Sequence, residues 1–352
     1  MAKERIISGQ PLDPQEDRLN QSLRPTAIHD YVGQPRLVEK LTIALQAVRQ
    51  RDEPMEHVLL HGPPGLGKTT LAHIIANEMD THLVVTSGPA LTRPTDLVGT
   101  LTKLQPRDVL FIDEIHRLSP VVEEYIYPAM EDFKIDVTVD SGMHAKIITL
   151  PLKPFCLIGA TTRAGLLSGP MRSRFGIAHN LDFYSTDDLL RILERSAGLL
   201  GLVDSNGQSQ AALTPSLQLI AGRSRGTPRI ANRLLRRVRD FAQVKAAGRV
   251  TPDVVEQALA LEGVDHLGLD EIDRKYLRII GEVYRGGPVG LEAVAATLGE
   301  DSGTLEEMVE PYLLQIGFLA RTRKGRQLTH KAAEHLRLSL TLPTADDEQV
   351  MF

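Results

Sequence analysis

The chain has 352 residues, 42% of them hydrophobic and 24% charged, with a formal net charge of −5 and one cysteine. At roughly 100–200 residues per domain, this length predicts two or three domains, each able to bury a core without disulfides or structural metals. The acidic total excludes a protein that is basic all over, so any grip on nucleic acid must come from local patches; a single cysteine excludes an internal disulfide and fits a reducing cytoplasm.

Residues 1–20 are polar, without a signal-peptide core, and are expected to be disordered. No apolar run approaches the ~18–20 residues of a membrane span, so a soluble cytoplasmic protein is expected. From 21 to 184 short apolar runs alternate with helical stretches. Val58-Leu59-Leu60, Leu83-Val84-Val85, Val109-Leu110-Phe111-Ile112 and Cys156-Leu157-Ile158-Gly159 read as buried strands. Continuous rather than alternating hydrophobicity is what a parallel sheet covered on both faces requires, which predicts an α/β layered domain. Cys156 lies inside such a run and reads as a structural thiol.

Gly62-Pro63-Pro64-Gly65-Leu66-Gly67-Lys68-Thr69 matches the pattern G-x-x-x-x-G-K-[ST], placed between a strand and a helix predicted over Thr70–Glu78. Gly65 and Gly67 let backbone N–H groups curl around phosphates, and the helix start, with Thr70, adds its positive dipole end. Lys68 can neutralise the β and γ phosphates and the Thr69 hydroxyl can ligate Mg2+. The strand ending at Asp113-Glu114 supplies the complementary acids: Asp113 beside the metal, through water, and Glu114 to polarise an attacking water. The chain is thus expected to bind ATP with Mg2+ and hydrolyse it.

Beyond these, residues 134–148 read as a β-hairpin: Ile135, Val137 and Val139 alternate with polar residues, Asp140-Ser141-Gly142 makes a turn, and Ile147-Ile148 follow. Ordinary sheet packing is one reading of it. Residues 185–262 are helical throughout. In the stretch after Gly226-Thr227-Pro228, Ile230, Leu234 and Phe241 form an apolar stripe, while Arg229, Arg233, Arg236 and Arg237 form a basic one of the kind usually solvated. Residues 263–340 read as three helices (about 270–284, 291–298 and 304–316) followed by two strands, the plan of a winged helix. The third helix carries Glu306, Glu307 and Glu310 and no base, so it is a poor reader of DNA. The basic hairpin Arg321-Thr322-Arg323-Lys324-Gly325-Arg326, with its turn at Lys324-Gly325, is the expected phosphate contact, through Arg321, Arg323, Lys324 and Arg326. Residues 341–352 form an acidic tail, expected to be disordered.

Gly62–Thr70, Asp113-Glu114-Ile115-His116 and Gly159-Ala160-Thr161-Thr162-Arg163 resemble the AAA+ ATPases. Asp113–Pro120, Glu131-Asp132-Phe133, Met171–Gly176 and Gly226–Arg233 narrow the resemblance to the RuvB family, over about residues 20–335. That resemblance implies a P-loop core, a small all-α lid and a C-terminal winged helix, acting as a homohexameric ring that drives branch migration of four-way duplex DNA junctions in recombination and repair. It implies a RuvA-like junction-binding partner docked on the 134–148 hairpin and a RuvC-like resolvase as a further partner. It also implies residue roles. Thr162 senses the γ-phosphate from a strand lying between those of the P-loop and of Asp113. Arg174, with Arg172 as its competitor, reaches a neighbour's site. Arg229 senses the γ-phosphate from the lid. Leu23, Arg24 and Tyr31 lie on the base side of the nucleotide, and Tyr184, at the junction of the first two domains, matches another nucleotide-contacting position. Glu131, Asp132 and Phe133 match a nucleotide-interface segment, although an acidic pair at a helix end explains them equally. Other ATPase classes fit less well. Residues 79–110 lack the aromatic pore loop of protein-unfolding rings, the winged helix is not a clamp loader's collar, and Glu114 argues against a non-hydrolysing switch.

Overall fold

The computed structural model describes residue 7 and residues 22–138, 147–203 and 209–338; the expectations about both tails and about the Asp140-Ser141-Gly142 turn lie outside these. Two compact units divide between Asp188 and Leu189. The described residues from 189 onward cluster as one unit.

The first unit is built on a five-stranded parallel sheet ordered β2-β3-β6-β1-β7, from β1 (Val58–His61), β2 (Leu83–Ser87), β3 (Val109–Asp113), β6 (Cys156–Thr161) and β7 (Ile177–Asn180). The three central strands are apolar along their length because helices cover both faces. Val58, Leu60, Val109 through Ile112 and Cys156 through Ile158 are all fully buried. Each such side chain contributes about 1.5–3 kcal/mol through removal from water. β2 lies at the edge and is only half-buried, with Val85 54% exposed, so the expectation of a buried strand there fails. β7 was not foreseen: Ile177-Ala178-His179-Asn180 has no apolar run, and its strand character comes from pairing with β1. The crossover helices are Lys68–Glu78, Pro94–Leu101 and Pro120–Glu131.

The predicted hairpin is present as β4 (Lys134–Thr138) antiparallel to β5 (Ile147–Pro151), with Ile135 opposite Leu150 and Val137 opposite Ile148. Ile135 is buried in the core beside Val122, Ile126 and Phe155, while Ile147 stays 65% exposed.

The second unit holds helices Gln210–Gly222, Pro228–Lys245 and Pro252–Leu261, then helix Glu271–Arg278 running into a π turn, Ile279–Val283. Helix Leu291–Leu298 follows, and a stretch from Ser302 to Gln315 that also contains a π turn. Strands β8 (Leu319–Thr322) and β9 (Gly325–Leu328) form the antiparallel wing. The wing's turn falls on Arg323-Lys324, one residue earlier than expected. Gly325 is instead the first residue of β9, at φ +135°, where a Cβ would lie 2.3 Å from the Val289 carbonyl oxygen. A last helix, His330–Leu336, was missed; it opens on Thr329, whose side chain accepts from the Ala332 N–H, and buries Ala332, Ala333 and Leu336.

The basic stripe of helix Pro228–Lys245 is solvated only in part: Arg237 is exposed, but Arg233 is 2% and Arg236 8% exposed. The apolar stripe is wider than read, taking in Leu235, Val238 and Ala242, with Phe241 only partly buried. Within this unit the helical and winged-helix parts are joined through Arg225. Its guanidinium donates to the Gly268 carbonyl at 2.7 Å and pairs with Asp273, and both side chains are almost wholly buried. The same guanidinium lies 4.7 Å over the Tyr312 ring, whose hydroxyl donates to the Leu267 carbonyl at 2.7 Å. Arg274 adds a bond to the Gly263 carbonyl at 2.9 Å.

Candidate active site and basic wing

The glycine-rich loop leaves β1 and enters helix Lys68–Glu78 with Gly62, Gly65 and Gly67 at positive φ, the conformation that glycine adopts without steric cost. Lys68 is 7% exposed, and its ammonium donates to the carbonyls of Gly62 at 2.8 Å and Pro63 at 2.9 Å. Thr69 and Thr70, on the first turn, are partly exposed. The loop rests on two tyrosines. The Tyr31 and Tyr184 hydroxyls meet at 2.7 Å, Tyr184 donates to the Leu66 carbonyl at 3.1 Å, and a Cβ on Gly67 would come within 3.0 Å of the Tyr31 oxygen. Burial pushes the Tyr184 phenol up to about 12 and raises Tyr31 as well, so both stay protonated and hydrogen-bonding at neutral pH. Leu23 is buried in the same unit, and the Arg24 charge adds to burial in depressing the His73 imidazole on the P-loop helix.

Asp113 ends β3, and its carboxylate accepts the Glu114 N–H at 3.0 Å. Glu114 follows in left-handed backbone, φ +47°, a conformation that costs a non-glycine residue about 1–3 kcal/mol. Its neighbour across the loop is Gly88, where a Cβ would sit 2.4 Å from the Glu114 carbonyl oxygen, so only glycine allows the approach. Strand β6 does lie between β1 and β3, and Thr162 at its end donates to Glu114 Oε2 at 3.2 Å. The structure therefore brings Lys68, Asp113, Glu114 and Thr162 to the carboxyl ends of three adjacent strands, where α/β sheets place their ligands. The donor set fits a metal-bound triphosphate: a lysine after a glycine-rich loop, a hydroxyl on the first helical turn and two partly exposed acids at the end of β3.

Arg174 caps the short helix Gly169–Ser173. It pairs with Glu131 at 3.1 Å, donates to the Pro170 carbonyl at 2.6 Å, and lies 4.2 Å over the Tyr127 ring. Arg172 is more exposed and donates to the Ala164 carbonyl at 2.7 Å. Each of residues 131–133 has a local duty: Glu131 holds Arg174, Asp132 pairs with Lys134 at 2.8 Å, and Phe133 packs edge-on against Phe155. Sequence reading had no access to the link from Glu131 to Arg174, because 43 residues separate them. Arg229 begins the helix Pro228–Lys245 in the second unit and is half-buried.

On the wing, Arg323 and Lys324 are exposed, without an ion pair among the described residues. Arg321 and Arg326 are not the free cations the sequence suggested. Arg321 reaches Glu310 Oε2 through Nε at 2.9 Å, and Arg326 reaches Glu310 Oε1 through Nε at 2.8 Å. Tyr276 donates to the same carboxylate at 2.5 Å, and Glu310 is fully buried. Burial alone would raise this carboxyl, but bonds from Arg326, Tyr276 and Arg321 outweigh it and hold Glu310 below the usual range. The acid read as a repellent on the third helix in fact anchors the wing. Cys156 is buried, and burial pushes its thiol up to about 12, which fits the structural thiol expected.

The parallel sheet, glycine loop, paired acids and polar strand end between them define a P-loop ATPase of the AAA+ class. Family models agree in detail. Residues 23–181 match the Holliday junction DNA helicase RuvB P-loop domain, residues 184–265 the RuvB AAA lid domain, and residues 266–337 the RuvB C-terminal winged helix domain. Among solved structures, the Thermotoga maritima RuvB Holliday junction branch migration motor is 50% identical, covering 91% of this chain and 100% of its own, with a TM-score of 0.80. A single-substitution variant of that RuvB matches at 50% identity over 91% of this chain and 99% of its own, with a TM-score of 0.81. The chain belongs to the RuvB family, a family of ATP-driven AAA+ enzymes.

Proposed function

We propose that this chain is an ATP-driven motor for branch migration of four-way DNA junctions in recombination and repair. It works as a homohexameric ring with a RuvA-like partner docked on the β4–β5 hairpin. The observation that carries this is the convergence of Lys68, Asp113, Glu114 and Thr162 at one sheet end, in a chain of this family whose winged-helix part carries a basic wing. In this reading Gly65, Gly67, Lys68, Thr69 and Thr70 hold the phosphates. Thr69 and Asp113 would hold Mg2+. Glu114 orients the attacking water with Thr162, and the bound magnesium supplies charge neutralisation on the phosphates. Leu23, Arg24 and Tyr31 frame the base side, and Tyr184 is a further nucleotide contact. Arg174, beside Glu131-Asp132-Phe133, serves a neighbouring subunit, and Arg229 reports the γ-phosphate to the lid. The wing holds the DNA backbone without reading sequence.

The test is strand exchange on a synthetic four-way junction, with ATP, magnesium and a RuvA-like partner. The parent chain should convert the junction to products while Lys68→Ala and Glu114→Gln do not, with Glu114→Gln still binding ATP. A parent chain that consumes ATP yet never moves the junction would sink the motor reading.

A further inference from the structure

We infer that His116 is a positioning residue for hydrolysis, holding the Glu114 carboxylate and tying it to the end of β6. This rests on the reading of Glu114 as the group that orients the attacking water.

His116 lies in the single turn Ile115–Arg117 directly after Glu114. Its side chain is 8% exposed, and its Nδ1 stands 3.2 Å from Glu114 Oε2. The same Nδ1 is 2.8 Å from the hydroxyl of Thr161, a fully buried residue that also accepts the Arg163 N–H at 3.0 Å. Thr162, the next residue of the chain, donates to the same Glu114 oxygen. One carboxylate oxygen is thus held from two sides, by a turn residue and by a strand-end residue. A histidine that merely filled space in a turn would have no reason to bring its polar edge to the carboxylate that Thr162 also holds.

Hydrogen placement gives this contact two arrangements. A bare nitrogen lone pair facing a carboxylate oxygen repels it, so the hold on Glu114 requires a proton on Nδ1. That N–H is then shared between Glu114 Oε2 and Thr161 Oγ1, and the Thr161 hydroxyl turns its own proton away. In the other arrangement Thr161 donates to a bare Nδ1, and Glu114 keeps only its bond from Thr162. A tether matters here because Glu114 sits in left-handed backbone beside Gly88, at the mouth of the strand end rather than within a strand. Charge positioned to within a fraction of an ångström is what general-base work needs.

The experiment compares the full chain with His116→Ala, His116→Asn and Thr162→Ala, alone and in the His116→Ala/Thr162→Ala pair. Turnover at saturating ATP and magnesium, dissociation constant for a fluorescent ATP analogue, and thermal midpoint are measured for each. His116→Ala should lower turnover by at least about tenfold while nucleotide affinity stays within about twofold, the signature of a lost transition-state interaction. His116→Asn, whose amide N–H can stand near the place of Nδ1–H, should recover most of that turnover. The double variant should lose less than the product of the single losses, since both residues hold one oxygen. The inference is overturned if His116→Ala keeps turnover within about twofold of the parent, or if the Ala and Asn variants fall equally. It is also overturned if turnover falls only in step with the thermal midpoint. A parent chain that never hydrolyses ATP overturns the hydrolase reading and this inference with it, so the parent's own turnover separates the two failures.

Discussion

Glu310 shows how one residue's surroundings reverse its meaning. Read along the chain, it is an acid on a helix that ought to repel DNA. In the fold it is fully buried and accepts from Tyr276, Arg321 and Arg326. Removing one partner of a buried charge cluster typically costs ~3–5 kcal/mol, because the others are left uncompensated. The pH dependence follows from the direction of its shift. A carboxyl held below its ordinary value stabilises the fold in full above the unfolded pKa, and that contribution is lost as pH falls through the folded one. The thermal midpoint of this unit should therefore drop on acidification below about pH 4. Glu310→Gln should lie lower at neutral pH and flatten that acid slope; an unchanged slope would remove Glu310 from the explanation.

Among the elements, those that announce themselves by local pattern were legible and those that exist only by pairing were not. The strands β1, β3 and β6 carry their burial in their own composition, and the P-loop carries its turn in its glycines. β7 has no such signal and becomes a strand because β1 needs a neighbour. The roles of Glu131, Tyr127 and His116 were hidden for the same reason: each depends on a partner brought up by the fold. The wing was found from its charge, but its division of labour was not. Arg321→Ala should lower the thermal midpoint as well as DNA affinity, because it breaks the tie to Glu310. Lys324→Ala and Arg323→Ala should leave stability within about 0.5 kcal/mol of the parent, as exposed substitutions do, and weaken DNA binding uniformly across sequences. Salt titration of DNA binding checks this: each lost phosphate contact should reduce the logarithmic salt slope by about 1.

At the scale of the whole molecule, the joint between the helical part and the winged helix is buried rather than hinged. Arg225, Asp273 and Tyr312 lock the two together, with Gly268 in close approach to the Arg223 carbonyl, where a Cβ would sit 2.5 Å away. A rigid joint transmits displacement; a loose one absorbs it. Asp273→Ala should destabilise this unit by about 3–5 kcal/mol and, under conditions where it remains folded, consume more ATP for each junction moved. Paired measurement of hydrolysis and branch migration decides it, and an unchanged ratio would mean the joint carries no load.

The resting place of Arg174, folded back on Glu131, Pro170 and the face of Tyr127, bears on economy in a dilute cell. In the ring proposed above, a solitary copy keeps the cation it would donate sheathed, and a neighbour has to draw it out before fuel is burned. Turnover per molecule should then climb steeply with protein concentration, and dilution alone should silence the machine.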